Sequence, residues 1–456
     1  MAITTTHPGA EPGGGTWLST WTPEDTSFWE STGKRLAWRT LTITTANLTM
    51  AFIVWFMVSA LVVKLPNIGF KITSTQLFWL TAMPGLAAGI LRAVHTFLIP
   101  LYGTRHVVTF STLSLVLPAL GWFYAVQDPT TPYWVLLALA FLAGLGGGNF
   151  SSFMPSTSLF FPKRRQGTAL AIQAGIGNFG VSVVQFLTPW VIGFALFGTL
   201  AGDPATFIPT SPGVASKPMW LQNAALIYVP FIVLFAALAW MLLKSIPVRA
   251  NFREQLDIFR NPHGLWMTSL YIMTFGSFSG FAATFPLMIK QLYTVLPGGP
   301  DPLAYAFLGP LVGSTARVLA GPISDRFGGA VVTQIAGIGL LACTIGVTFY
   351  THPGSMAEFP RFVGLMLGVF FFSGIGNAST FKQMPMIFEP RQAGGVIGWT
   401  AAMASFGPFI FGMLIGWSFS ATGSPNAFFY GAAAFYVFNI VINWWFYARQ
   451  GAEKPC

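Results

Sequence analysis

The stretch "GNFSSFMPSTSLFFP", residues 148 to 162, aligns without a gap on "GNASTFKQMPMIFEP", residues 376 to 390. A second pair keeps nearly the same offset: Arg92 precedes Gly103 as Arg317 precedes Gly328. Two independent matches at one spacing argue for a duplicated chain. The polar segment "SIPVRANFREQLDIFRNPH", residues 245 to 263, falls between the copies and reads as a linker.

Both copies are apolar. Hydrophobic residues make up 54% of the chain and charged residues 8%, and long apolar runs recur from Leu41 to Tyr447, far outside the usage of soluble domains. Runs of about 20 residues match the hydrocarbon thickness for a helix. A strand reading fails because the runs lack polar/apolar alternation. The sequence therefore predicts an all-α integral membrane protein with twelve transmembrane helices, near residues 41–63, 76–100, 107–126, 133–160, 166–198, 219–243, 263–289, 303–324, 330–350, 361–388, 393–418 and 425–447. Six lie on each side of the linker. Two six-helix parallel repeats are an arrangement of secondary transporters, with the substrate site between the halves near the midplane. The expected organisation is a flexible tail 1–39, an N-terminal half 40–244, a linker 245–262, a C-terminal half 263–448 and a C-terminal tail 449–456.

Several function classes drop out. The tail 1–39 contains "HPGAEPGGG" and no apolar segment after a basic start, so it does not read as a cleaved signal peptide. Fifteen basic residues fall on the side of the two chain ends and five on the other, which by the positive-inside rule places both termini in the cytoplasm of a cell inner (plasma) membrane protein, expected as a monomer. The net charge of +10 is mostly this topology signal, and without a basic run interleaved with aromatics nucleic acid is not expected as a partner. Cys343 lies in a span and Cys456 at the end, too far apart in topology to pair, and no metal framework is present. No G-x-x-x-x-G-K-S/T loop occurs, so the chain is not expected to hydrolyse nucleotide, to need a cofactor or to be an enzyme.

The charges within the spans carry the argument further. All thirteen acidic residues fall in the ends, the linker, loops or span ends, so Arg92 and Arg317 sit at depth without a carboxylate. A charge at the bilayer centre costs at least about 2.5 to 3.5 kcal/mol. For one arginine, carbonyl capping or snorkelling would account for that; for two at repeat-equivalent positions the missing counter-charge is better read as the substrate. Guanidinium is a planar fork of donors that cannot shed its charge, which suits a small planar anion. Taken to stand about 6 Å apart in the closed carrier, the pair would repel by roughly 3 kcal/mol at an effective dielectric of about 20.

Other residues join them by spacing. Glycines crowd "GLGGGNF", 144–150, and "GTALAIQAGIGNFG", 167–180, chiefly to let helices approach. Asn178 shares a face with Gly175 and Ser182 and is an uncharged donor that adds nothing to the repulsion between arginines. Tyr271 and Phe275 form an i, i+4 pair presenting a hydroxyl and a ring to one space. Lys382, which replaces Met154 of the other copy, either relays anions or snorkels to the interface. His95, one turn after Arg92, is the histidine at depth that could titrate near neutrality, although a hydrogen-bonded structural role also fits it.

At these residues the chain resembles the NarK-type nitrate/nitrite porters of the major facilitator superfamily, over nearly its whole length from about Ala37 to Arg449. The most specific match is the nitrate signature, here "GTALAIQAGIGNF", 167–179, supported by "GGGNFSSFMPSTSLFFPK", "TFGSFSGF", "SDRFGG" and "AVQDPTTPY". The resemblance implies nitrate or nitrite held by Arg92, Arg317, Asn178 and Tyr271 between the rings of Phe150 and Phe275, with Phe52 nearby and Gly175 counted in the site. Three departures stand out: Ala404 and Pro408 in "GWTAAMASFGPF", Val94 and His95 where relatives often have Pro-Tyr, and only Glu389 to Gly395 before the eleventh helix. Because the family holds both nitrate/nitrite exchangers and nitrate/proton symporters, these leave coupling open. Exchange is the leading expectation, with proton symport through His95 or Lys382 the alternative; a nonconducting sensor and an anion channel are rivals of other classes.

Overall fold

Twelve helices long and apolar enough to cross a membrane follow one another in the computed structural model, which describes residues 16–209, 215–246 and 260–456. They are α1 (Thr26–Val62), α2 (Ser74–Thr96), α3 (Leu98–Ala125), α4 (Tyr133–Ser158), α5 (Lys163–Val191), α6 (Asn223–Leu242), α7 (Pro262–Thr294), α8 (Leu303–Phe327), α9 (Gly329–Thr348), α10 (Met356–Ile387), α11 (Gly395–Thr422) and α12 (Asn426–Ala448). Alternate crossings bring both chain ends to one face, called here the termini face, and put the α1–α2, α5–α6 and α7–α8 connections on the far face.

The duplication read from sequence has a backbone cause. Gly103, a non-helical break near the start of α3, has φ 75°, and Gly328, between α8 and α9, has φ 89°, a conformation costly for any residue with a Cβ. Each turn lies under the chain that follows the last helix of its half: an added Cβ would come 2.5 Å from Ser245 Oγ at Gly103 and 3.3 Å from the Cys456 carbonyl oxygen at Gly328. The arginine one helical stretch earlier is thereby set at the same depth in both halves.

Burial separates inner helices from outer ones. The most apolar windows of α1 and α7 are 89% and 94% buried, whereas those of α6 and α12 are 28% and 39% buried, so α1 and α7 line the interior and α6 and α12 face the surroundings. The halves meet where glycine permits. An added Cβ at Gly85 of α2 would lie 2.5 Å from the Phe409 nitrogen of α11, and one at Gly175 of α5 would lie 2.5 Å from Val318 Cγ2 of α8. Polar ties cross the halves toward the far face: Gln185 Nε2 donates to the Ala282 carbonyl at 2.9 Å, Lys64 pairs with Asp301 at 2.6 Å, and Lys290 Nζ donates to the Val63 carbonyl and to Asn67 Oδ1.

One expectation changes, one falls mostly outside the described residues, and one element is new. The flexible tail through residue 39 is instead packed from residue 16 onward, residues 1–15 lying outside the described ones. Trp21 and Trp29 are buried against Phe160 and Phe161, Trp17 bridges to Ser245, and α1 begins at Thr26, capped by Asp25. Aromatic side chains that cover the ends of α4 and α5 recover enough apolar burial to order this segment. The expected linker is described only at its edges, residues 245–246 and 260–262; residues 247–259 lie outside the described ones. The α5–α6 connection carries a short hairpin, β1 (Ala205–Phe207) against β2 (Lys217–Met219), antiparallel, that span reading did not anticipate.

Candidate anion site

Arg92, on α2, is fully buried and rivets three helices. Its Nε donates to the Gly147 carbonyl of α4 at 2.9 Å, and its Nη1 donates to the Ala401 carbonyl of α11, in the other half, at 2.7 Å. The approach is possible because Gly144 and Gly147 leave no side chain between α4 and α2: an added Cβ at Gly144 would lie 2.5 Å from the Pro84 carbonyl oxygen. The guanidinium carbon lies 4.5 Å from the Phe150 ring, 5.3 Å from Phe275 and 5.4 Å from Trp55. Nη2 has no hydrogen-bond partner.

Arg317, on α8, is 5% exposed and stands over the other side of the same cluster, 6.0 Å from Phe275 and 5.3 Å from Phe381. Since both guanidiniums face Phe275, the sum of their distances to that ring is the furthest apart they can be. Arg317 Nη1 is also without a partner. Among the described residues neither arginine has an ion-pair partner; the pairs present join Lys34 to Glu30, Lys64 to Asp301, His263 to Glu453 and Lys382 to Asp325.

The remaining donors come from α5 and α7. A π-turn, Ile272–Gly276, follows Tyr271 in α7, the kind of local widening often found at functional sites. The rings of Tyr271 and Phe275 stack at 5.4 Å and 5°. The buried Tyr271 hydroxyl lies beside Arg317, in the field of both arginines, without closing a well-aligned hydrogen bond. On α5, Gly177 and Gly180 let the helix lie on Leu48 and Phe52 of α1, which buries Asn178 with neither amide atom paired. Gly175 abuts Val318, the neighbour of Arg317.

Four buried unpartnered donors therefore come from α2, α5, α7 and α8: Arg92 Nη2, Asn178 Nδ2, Tyr271 Oη and Arg317 Nη1. An unsatisfied buried polar group costs about 1 to 3 kcal/mol, a cost that an acceptor-only ligand within reach would relieve. Net positive charge with no carboxylate selects an anion. The Phe150 and Phe275 rings stand 6.4 Å apart at 30°, with Phe52 6.3 Å from Phe150. A planar anion can lie as one layer about 3.5 Å from an aromatic ring, whereas a tetrahedral anion stands thicker.

The structure brings Arg92, Arg317, Tyr271, Phe275, Phe150 and Phe52 into one cluster, with Gly175 and Asn178 on the helix against Arg317. His95 is set aside from them, buried between α2 and α4 with Nδ1 2.9 Å from Ser152 Oγ. Lys382 lies outside the cluster: it pairs with Asp325 at 2.6 Å, and both side chains are exposed near the termini face. Three neighbours escaped sequence reasoning. Trp55 and Phe381 flank the arginines, and the wholly buried Asn377 of α10 leaves both amide atoms unpaired. Asn377 could have been found, since the repeat aligns it with Asn149.

The family model described as Major Facilitator Superfamily matches residues 43–381. The chain is 66% identical over 442 residues, 97% of its length and 99% of the relative's, to a protein of Thermus thermophilus named "Probable nitrate/nitrite antiporter NarK2". It is 37% identical over 459 residues, 95% of its length and 96% of the relative's, to the "Nitrate/nitrite transporter NarU" of Escherichia coli strain K12. Among solved structures, a bacterial homologue of the human lysosomal transporter Spinster aligns with a TM-score of 0.61 at 13% identity, covering 88% of this chain and 93% of that one, which speaks for the fold alone.

Proposed function

The chain belongs to the major facilitator superfamily and, within it, to the nitrate/nitrite porters of NarK type, and on that premise we propose how its buried cations move an anion. It is a transporter and not an enzyme: nitrate crosses the membrane by alternating access, in exchange for nitrite, with no covalent chemistry. The observation that supports the site assignment is the set of unpartnered donors on Arg92, Tyr271 and Arg317, drawn from both halves around the Phe150–Phe275 pair, with the unpaired Asn178 buried on α5 where it packs against α1.

The physics of the cycle follows from fixed charge. At the outer limit of about 11 Å set by their distances to Phe275, the two guanidiniums repel by about 1.5 kcal/mol at an effective dielectric of about 20, and by more as the halves close. A monoanion between them offsets that repulsion, so the loaded carrier closes and the empty one resists. Arg92 links the halves directly, through Gly147 in its own and Ala401 in the other. With no group beside the arginines to neutralise them, the return leg needs a second anion, and nitrite is the simplest candidate.

Both termini lie in the cytoplasm of the inner membrane in this reading, supported by the excess of basic residues on the termini face. Proton symport remains the second reading, with His95 the titratable group nearest Arg92 in sequence. Labelled nitrate uptake into proteoliposomes, loaded with or without nitrite and with or without a proton gradient, decides. Uptake that requires internal nitrite supports exchange; gradient-driven uptake into nitrite-free vesicles overturns it, and the absence of saturable uptake overturns transport itself.

A further inference from the structure

At the far face, where the halves are tied together, a cavity of about 230 Å³ opens between the α1–α2 turn, the hairpin and the end of α7. Its wall includes Lys64, Lys217 and Lys290 and one carboxylate, Asp301. Lys64 and Lys290 are 5% and 7% exposed, unusual for lysines, which are rarely buried without full pairing. Lys64 gives one donor to Asp301, Lys290 donates to Asn67 Oδ1 and the Val63 carbonyl, and an ammonium has three donors. Lys64 and Lys217 both stand over the ring of Phe207, at 5.8 and 5.9 Å, which attracts cations but supplies no counter-charge. The wall thus gathers three lysines against one carboxylate around a space far larger than the ~15 Å³ that holds one water.

We propose that this cavity is a second anion-binding site, a vestibule in which a small monoanion is held by Lys64, Lys217 and Lys290 before it passes to the central arginines. The same lysines close the far face. An anion there competes with Asp301 for Lys64 and with Asn67 for Lys290, so arrival of the ligand loosens the two cross-half ties that must part for this face to open. Focusing by like charges in a cleft raises local anion concentration and on-rate. As the transported anion, the ligand rests on the nitrate/nitrite reading, but its binding here can be read without transport.

Two measurements test the vestibule. In the full-length protein carrying Arg317→Lys, which disables the central site, labelling of Lys217 by an amine-reactive reagent is followed by mass spectrometry against nitrate concentration. Nitrate is expected to slow labelling at Lys217, the exposed member of the three; labelling that nitrate leaves unchanged overturns the proposal whether or not the protein transports. Then, in right-side-out and inverted vesicles, Lys217→Gln is expected to raise the KM for nitrate presented to the far face about three- to tenfold, leaving kcat and the KM at the termini face unchanged, with Lys217→Arg restoring the original value. Equal changes at both faces, or none at the far face while wild-type uptake is normal, overturn it; wild-type protein that shows nitrate-dependent labelling and no uptake instead removes the transport reading.

Discussion

Replacing Arg92 or Arg317 by lysine keeps the charge and removes the fork, and the structure separates the two outcomes. Arg92 uses Nε and Nη1 to hold the Gly147 and Ala401 carbonyls while Nη2 stays available to a ligand. One ammonium cannot take up all three directions. Arg92→Lys should therefore cost about 1 to 3 kcal/mol of stability through a carbonyl left without its charged partner. It should also cost about 1.5 to 3 kcal/mol of ligand binding through the lost charged donor. At about 1.4 kcal/mol per tenfold, the second loss is roughly 10- to 140-fold in affinity. Among the described residues Arg317 shows no hydrogen bond to a main-chain carbonyl; its contacts are the rings of Phe275 and Phe381 and the neighbouring Tyr271 hydroxyl. Arg317→Lys should lose affinity by the same factor with little loss of thermal stability. The assay pairs nitrate uptake in proteoliposomes with melting of the purified variants. Near-normal uptake by either variant would show that charge alone suffices, and equal destabilisation of both would remove the rivet assigned to Arg92.

Other outcomes follow from the same geometry. Tyr271→Phe keeps the stack on Phe275 and removes a hydroxyl that lies beside Arg317 without a well-aligned hydrogen bond, so it should weaken nitrate binding about 5- to 10-fold, an ordinary hydrogen bond's worth, with little change in the melting temperature; a large melting shift would mean the contact with Arg317 is structural. Nitrate at a hundred times its dissociation constant should stabilise the purified protein by about 2.7 kcal/mol, and sulfate, too thick for the ring pair, should not; equal stabilisation by sulfate refutes the slot. Gly85→Ala places a methyl against the Phe409 main chain and should slow transport by obstructing the approach of α2 to α11 while nitrate binding persists, which uptake and binding assays read separately. His95→Gln should leave nitrite-driven exchange intact, and loss of exchange in that variant would place His95 in the cycle.

The arginines were legible because a charge in an apolar run is conspicuous and because the repeat presents it twice. The twin glycines were legible for the same reason, and their positive φ explains why the pattern survives in both halves. Asn178 was read from its place in a glycine-rich helix and a family motif. The aromatic partners were not: among 45 phenylalanines and 16 tryptophans, nothing local marks Phe381 or Trp55 as the rings beside a guanidinium, since packing across helices decides it. The packed N-terminal segment was missed for a related reason. Its glycine- and proline-rich start looks unstructured, while the Phe160 and Phe161 side chains that receive Trp21 and Trp29 lie far along the chain, beyond four membrane crossings. The pairing of Lys382 with Asp325 was not legible, because Asp325 lies near the end of a different helix.

The absence of a carboxylate beside Arg92 and Arg317, among the described residues, has an electrical consequence. Moving one elementary charge through a membrane potential is worth about 2.3 kcal/mol per 100 mV. A binding site whose own charge cannot change carries the same total whether it holds nitrate going one way or nitrite going the other, since both are monoanions. One full turn of the exchange then transfers no net charge, and voltage drops out of the equilibrium. The inside-to-outside ratio of nitrate settles at that of nitrite, so a membrane potential, negative inside, that would expel either anion by a factor of about fifty per 100 mV exerts no pull on their exchange. Accumulation of nitrate in a polarised cell is then set by the ratio of nitrite inside to nitrite outside.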